Sequence, residues 1–332
     1  MHRLLAPLKA LVRPRPSVAT ASRFGSIDVQ QRERIECALR EHYFAGRSNQ
    51  YLESEAGQVD LHNHLEKRLQ HDRFHVIPWL ESVQSLAGRT VLEIGCGTGC
   101  STVALAEQGA HVTAVDLDEP AMQVARTRCQ EHQVEVEFHL ANAVEVHERL
   151  AGRTFDYVIF YAALEHMTHE ERILAIQRTW PMVAEQGHWC VVETPNRLWY
   201  FDHHTSLMPH YHWLPDDLAR GYAKFSPRDS FRERFQETDE SALLEFLRQG
   251  RGVSYHEWEL ALETPAEQLD VVSGLATYHR GVNLLRQLKW PRSRELRFTS
   301  LLREVSPRHH VAFLQPSLDL AIKPHSEGAA NL

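Results

Sequence analysis

The residues able to do chemistry fall into a few short runs. In Val91-Leu92-Glu93-Ile94-Gly95-Cys96-Gly97-Thr98-Gly99, an apolar stretch ends in an acid and glycines follow at alternate positions. Glycine tolerates φ > 0 and lets ligand atoms come close to the backbone. A glycine bend between a strand and a helix N-terminus forms a nucleotide-type cradle. The dinucleotide pattern wants glycine at loop positions one, three and six; here the third glycine stands at position five and Cys100 at six. Glu93, just ahead of the bend, would oppose a pyrophosphate and suits a cationic ligand. Further on, Asp116 can accept two ribose hydroxyls in a bidentate grip, with Leu117 against a flat ring. Asp118 can take that role or open the next helix as an N-cap. Asn142 offers an uncharged oxygen to an amino group, or is a turn residue.

Tyr161-Ala162-Ala163-Leu164-Glu165-His166-Met167 brings an acid beside an imidazole. An imidazole, whose ordinary pKa is ~6.5, can take a hydroxyl proton as a nucleophile develops. His166 can equally position a substrate or cap the following helix. Downstream lie Glu193, Arg197, Asp202, His203, His204, His210 and His212 among aromatic residues, part of a set of 22 histidines. With Asp202 or Glu193 these histidines offer metal donors. Adjacent residues of an extended chain point opposite ways, however, and the intervals match no helix-borne pair. The expectation is therefore no metal, and a polar wall against substrate or a packed loop. Arg197 and Arg228 can meet an acidic group on the substrate or form surface salt bridges.

The elements that must position these groups alternate. Strands are expected at Thr90–Ile94, at 111–115 ending on Asp116, and at 134–140, 155–160 and 188–192; a helix is expected at Glu119–Glu131. Strands separated by helical patterns pair in parallel through right-handed crossovers, and ligands lie at the strands' carboxyl ends. Ahead of them, residues 27–86 read as a helical cap, with helix over 27–43 and a helical pair over 60–86 that Pro78 kinks. Residues 87–196 form the core. Residues 197–305 break the rhythm and read as a helical and loop substrate lid, with helix-like pieces at 241–248 and 275–288. Residues 306–324 read as a closing antiparallel hairpin made of 310–313 and 318–322, and 325–332 as a disordered tail.

Two of these runs resemble a known family over residues 86–196, and a short motif ahead of the first strand adds to the resemblance. The acid followed by Gly-x-Gly-x-Gly resembles the first motif of class I S-adenosylmethionine-dependent methyltransferases, whose cofactor carries an ammonium and a sulfonium and no phosphate. The Leu-Glu-His run at 164–166 and His71-Asp72-Arg73-Phe74 resemble the ubiquinone-biosynthesis O-methyltransferases of the small-molecule branch. The resemblance implies an α/β, Rossmann-like fold: a seven-stranded, mostly parallel sheet with an antiparallel last strand. It implies S-adenosylmethionine as cofactor, cradled by Glu93, Gly95, Cys96, Gly97 and Gly99. Asp116 would hold the ribose, Leu117 would lie on the adenine, and Asn142 and Ala143 would sit at its amino group. Tyr161 would make a backbone contact near the methionine part. Arg73 would hold the cofactor's carboxylate, or be a plain surface arginine. Many relatives carry Asp where this chain has Asn142, which removes charge assistance from that bond. His166 would be the general base, oriented by Glu165; the strand ends, which aim at one cleft, put His203 and His204 toward the acceptor. The implied reaction is in-line methyl transfer to a small molecule, O-methylation ahead of N or C. A lipid-linked saccharide acceptor and a non-catalytic cofactor-binding scaffold stand as alternatives.

Bulk properties narrow the partners. A net charge of −8 argues against an electrostatic nucleic-acid binder, and the Asn/Asp-Pro-Pro-aromatic motif of amino-adenine methyltransferases is missing. No apolar run approaches the ~20 residues that span a bilayer. Five scattered cysteines without Cys-x-x-Cys spacing or a secretory signal lead one to expect reduced thiols and a cytoplasmic protein. Residues 1–26 read as a flexible, basic N-terminus; the leucines of 1–16 suit a weak membrane-surface contact, a frayed end or a transit segment.

Overall fold

The apolar runs fold as strands β1 (Thr90–Ile94), β2 (His111–Asp116), β3 (Val136–Leu140), β4 (Phe155–Tyr161), β5 (Val183–Pro195), β6 (Asp270–Gly274) and β7 (Ser317–Lys323). This computed structural model describes residues 24–235, 243–282 and 293–324. The expectations for 1–16, for the tail from 325, and for parts of the helices at 241–248 and 275–288 lie outside the described residues. One seven-stranded sheet runs in the order β3-β2-β1-β4-β5-β7-β6. β1 pairs with β2 and β2 with β3 in parallel, while β7 is antiparallel to both β5 and β6. The expected Rossmann-like α/β class, with its antiparallel last strand, is what forms. Among the described residues no helix is long and apolar enough to cross a membrane.

Two compact units partition the chain. Of the described residues, the first holds 24–159, 182–187 and 278–282; the second holds 160–181, 188–235, 243–277 and 293–324.

In the first unit, α1 (Val29–Ala38) starts at a capping box in which Asp28 and Gln31 satisfy each other's backbone N–H groups. Helix α2 (Cys100–Ala106) follows the glycine bend, and α3 (Glu119–Glu131) is capped by Asp118. Residues 55–83 form one continuous helical run rather than the expected pair, because π turns at Asn63–Lys67 and Asp72–Val76 absorb the irregularity. The second π turn lies directly ahead of Pro78, whose missing N–H and bulky ring an α-helix could not accommodate. Leu61, Leu65, Ile35, Leu39 and Phe44 bury against Val124 of α3.

Arg128 fastens this cap to the bend. Wholly buried, its guanidinium donates to the carbonyl of Thr98 (2.8 Å) and to those of His64 (2.7 Å) and Leu65 (3.2 Å) in the first π turn.

The second unit corrects the expected hairpin. Residues 310–313 are not a strand: Val311–Leu314 is a 3₁₀ turn, and the partner of β7 is β6, drawn from the stretch read as lid. An apolar run flanked by histidines suits either conformation, and the long-range pairing that decides between them leaves no local signal. The rest of that stretch has a core of its own, with Tyr211, Phe231, Phe235 and Phe246 packed around Ala219 and Ala223.

Arg128→Met should lower the unfolding free energy by about 3 kcal/mol, the scale of losing charge-assisted hydrogen bonds to buried carbonyls. Urea unfolding of the two proteins measures this.

Candidate functional site

In the first unit, Gly95, Gly97 and Gly99 all have positive φ (90°, 49° and 80°). Gly99 is required twice, because a Cβ there would lie 2.8 Å from Cα of Ala125. A Cβ on Gly97 would meet nothing within 4 Å, so the space over Gly97 is open to a ligand. The bend is pinned by its own N–H groups: Gly95 and Cys96 donate to the carbonyl of Val115, and Gly97 donates to Oδ2 of Asp116 (2.7 Å). Oδ1 of Asp116 accepts from the N–H of Asp118 (2.9 Å). Each oxygen thus keeps acceptor capacity for a ligand hydroxyl. Burial raises the pKa of Asp116, and the N–H groups of Asp118 and Gly97 work against that rise. Beside it, Leu117 is 63% exposed, an apolar surface suited to a flat ring.

In the second unit, the turn after β4 (Leu164–His166) leads into α4 (His169–Thr179). Arg172, fully buried, donates to the carbonyls of Leu164 (2.9 Å) and Arg251 (2.8 Å), and the N–H of Arg251 donates to the carbonyl of Glu165 (2.9 Å). His166 Nδ1 lies 2.8 Å from the carbonyl of Arg248; a carbonyl only accepts, so Nδ1 carries the proton and Nε2 the lone pair. Glu165 is wholly buried. Its Oε2 accepts from Thr194 Oγ1 (3.0 Å), whereas Oε1 has no hydrogen-bond partner among the described residues.

Asp202 organises the histidine loop. Its carboxylate accepts from the N–H groups of His204, Thr205 and Ser206 and from the Ser206 hydroxyl, and it pairs with His212 at 3.2 Å. Burial pushes its pKa up, but the His212 bond and these N–H groups outweigh that and hold it well below the carboxylate range. Nearby is a cleft of about 240 Å³ whose lining includes Glu193, Phe201, His203, His204 and Ser317. Glu193 has φ +57° at the bulge where the β5–β7 register shifts, a conformation that re-aims its side chain.

Against known proteins, residues 91–187 match the methyltransferase-domain family. The ubiquinone biosynthesis O-methyltransferase of Aromatoleum aromaticum is 42% identical over 91 residues, 27% of this chain and 38% of that protein. That of Azoarcus sp. is 32% identical over 152 residues, 45% of this chain and 63% of that protein. The chain carries a methyltransferase domain over residues 91–187. Its matches therefore span about 38 to 63% of the length of these curated relatives. A solved magnesium protoporphyrin IX methyltransferase from Synechocystis PCC 6803 with bound SAM is also similar, at 21% identity over 52% of this chain and 79% of that one, TM-score 0.37.

Within the domain, the expected cofactor residues divide. Gly95, Cys96, Gly97, Gly99, Asp116 and Leu117 come together at the bend. Glu93 does so differently from expectation: both of its oxygens accept from the Ser101 and Thr102 hydroxyls, so the carboxylate braces β1 to the start of α2. Arg73 is also redirected. Its guanidinium is taken by Glu107 and the Gly25 carbonyl and lies over the Phe24 ring, a structural ion pair in place of a grip on a ligand carboxylate. The Asn142 oxygen caps the N–H of Val144 (3.2 Å), which is the turn role, and Ala143 is buried beside it. Tyr161 ends β4 in the second unit, mostly buried.

The histidines divide as well. His204 converges with Glu165 and His166; the His203 ring lies tilted against Phe201 and that of His210 against Trp213, and His212 is held by Asp202. Arg197 pairs with Glu257 (2.5 Å), and Arg228 donates to the His204 and Thr205 carbonyls. Sequence reasoning missed Arg128 and Arg172. Arg128 carried a signal: it shares the buried stripe of α3 with Ala121, Val124 and Ala125, where a charge needs a partner.

Burial raises Glu93 to about 7 from 4.5, opposed by the Ser101 and Thr102 hydroxyls. Between those values the folded chain holds more of this proton than the unfolded chain, so stability falls as pH rises from 4.5 to 7. Glu93→Gln should flatten that slope by up to about 1.4 kcal/mol per pH unit in unfolding measurements across the range. Asp116→Ala should weaken S-adenosylmethionine binding by about 1.5–3 kcal/mol in calorimetry.

Proposed function

We propose that this protein transfers a methyl group from S-adenosylmethionine to a hydroxyl of a small-molecule acceptor. The observation that carries the reading is the glycine bend whose Gly97 N–H is tied to Asp116, with room for a ligand over Gly97 and an exposed Leu117 beside it. The names of the relatives, ubiquinone biosynthesis O-methyltransferases, support oxygen as the acceptor atom. The acceptor cleft is assigned to the space lined by Glu193, His203 and His204, wide enough for a small polar or ring-bearing group.

In such a transfer the S–CH₃ bond breaks as the O–CH₃ bond forms in line, and the thioether leaves neutral. The donor is already activated, so the protein's work is alignment, exclusion of water and removal of the hydroxyl proton. His166 supplies a base whose tautomer is fixed: Nδ1–H is held by the Arg248 carbonyl, and Nε2 is left to accept the proton. Glu165, 3.9 Å from that nitrogen, would stabilise the imidazolium that forms. A neutral hydroxyl is a poor nucleophile, which is why the reading needs this base.

His166→Ala should lower turnover roughly 10²–10⁴-fold while leaving cofactor affinity unchanged. The assay follows label from S-adenosylmethionine into hydroxylated aromatic acceptors. Tight cofactor binding with no transfer to any acceptor would instead support a binding scaffold, and a small loss in the variant would reduce His166 to a positioning role.

A further inference from the structure

We infer that Glu165, His166 and His204 form a binding site for a divalent transition-metal ion, with zinc the best match to the donors. Glu165 Oε1, His166 Nε2 and a ring nitrogen of His204 lie within 4.8 Å of one another. Oε1 is 3.9 Å from Nε2 of His166 and 3.6 Å from Nε2 of His204. Those separations are too long for hydrogen bonds. They are close to the roughly 3.3–3.5 Å between donors that share a tetrahedral ion at bond lengths of ~2.0–2.2 Å.

The surroundings are those of a built site. Oε1 belongs to a carboxylate with no exposed surface and has no hydrogen-bond partner among the described residues, although its twin oxygen is satisfied by Thr194. Leaving a buried carboxylate oxygen unbonded is costly, and a cation at this point removes the cost. Both imidazoles are oriented through their other nitrogen, His166 Nδ1 on the Arg248 carbonyl (2.8 Å) and His204 Nδ1 by the Thr205 hydroxyl (3.2 Å). Metal-bound histidines are held in this way, the outer contact fixing tautomer and ring direction. Gly250 makes the second orientation possible. At φ +118° it packs where a Cβ would sit 2.5 Å from Thr205 Oγ1 and 3.5 Å from His204 Nδ1.

Two imidazoles and one carboxylate select zinc or another first-row transition ion over magnesium, which prefers an all-oxygen shell. With three protein donors, a fourth position stays open for water or an acceptor oxygen. The site's existence does not depend on the methyl-transfer reading; its use does. Ion and proton compete for the same His166 Nε2 lone pair, so the base role described above belongs to the metal-free chain.

The test uses the full chain stripped of metal by a chelator and titrated with zinc alone, by calorimetry and by the visible spectrum of the cobalt-substituted protein. Wild type should bind one equivalent that His204→Gln and Glu165→Gln lack or hold more than ~100-fold more weakly, beyond the 10–100-fold typical of losing an outer partner. His203→Gln, one residue away, should keep that equivalent. His204 is 36% exposed, so His204→Gln remains decisive should Glu165→Gln fail to fold. Equal zinc binding by wild type and His204→Gln, or none by wild type, overturns the site. S-adenosylmethionine affinity measured on the same stripped samples separates the two readings: cofactor binding without zinc binding removes only the ion, and zinc binding without cofactor binding removes only the methyl-transfer proposal.

Discussion

A strand that must become a helix within five residues, Gly95 to Gly99, is the constraint on which the first unit depends. The backbone can turn that sharply only with φ positive at alternate positions, and each turn exposes N–H and carbonyl groups that no regular ladder satisfies. The neighbouring chain satisfies them one at a time. Val115 takes two N–H groups at its carbonyl, Asp116 takes the N–H of Gly97, and Arg128 donates to the carbonyl of Thr98. The groups that fix the bend are thus among those expected to meet the ligand, and binding geometry and loop stability cannot be altered separately there.

The second unit meets the same requirement with the same kind of device. The turn after β4 and the segment around 248–253 are irregular backbone, and buried guanidiniums gather their carbonyls. Arg172 collects those of Leu164, Glu165, Arg251 and Gly252, while Arg251 takes those of Tyr211 and Leu214. Asp202 performs the complementary task for the N–H groups of 204–206. Guanidinium and carboxylate suit these places because a charged group makes several strong hydrogen bonds from one side chain. The result holds Glu165, His166 and His204 in fixed directions without a helix or strand beneath His204.

Some side chains with the right chemistry are used for architecture. Glu93 was placed by sequence beside a cationic ligand, yet two hydroxyls in the first turn of α2 claim both its oxygens. Arg73 lies in a run resembling a cofactor-binding motif, yet Glu107 takes it. In both cases the residue type was legible and its partner was not, since the partner lies on a different element. Spacing offers no helix-borne ligand pair among His203, His204, His210 and His212, and it could not place His204 next to Glu165, 39 positions earlier in the chain.

The sequence by itself determined the alternation of strands and helices through β5, the glycine bend and the acid at the tip of β2. These depend on local periodicity and on φ values that only glycine readily adopts. It also determined the boundaries of α3, through the Asp118 cap and the apolar stripe that follows. Tertiary structure alone decided that β6 comes from residues 270–274, that residues 311–314 form a turn, and that Glu165, His166 and His204 face one point. Strand partners and convergent side chains are set by packing between segments far apart in the chain, and no local pattern encodes the distance between them.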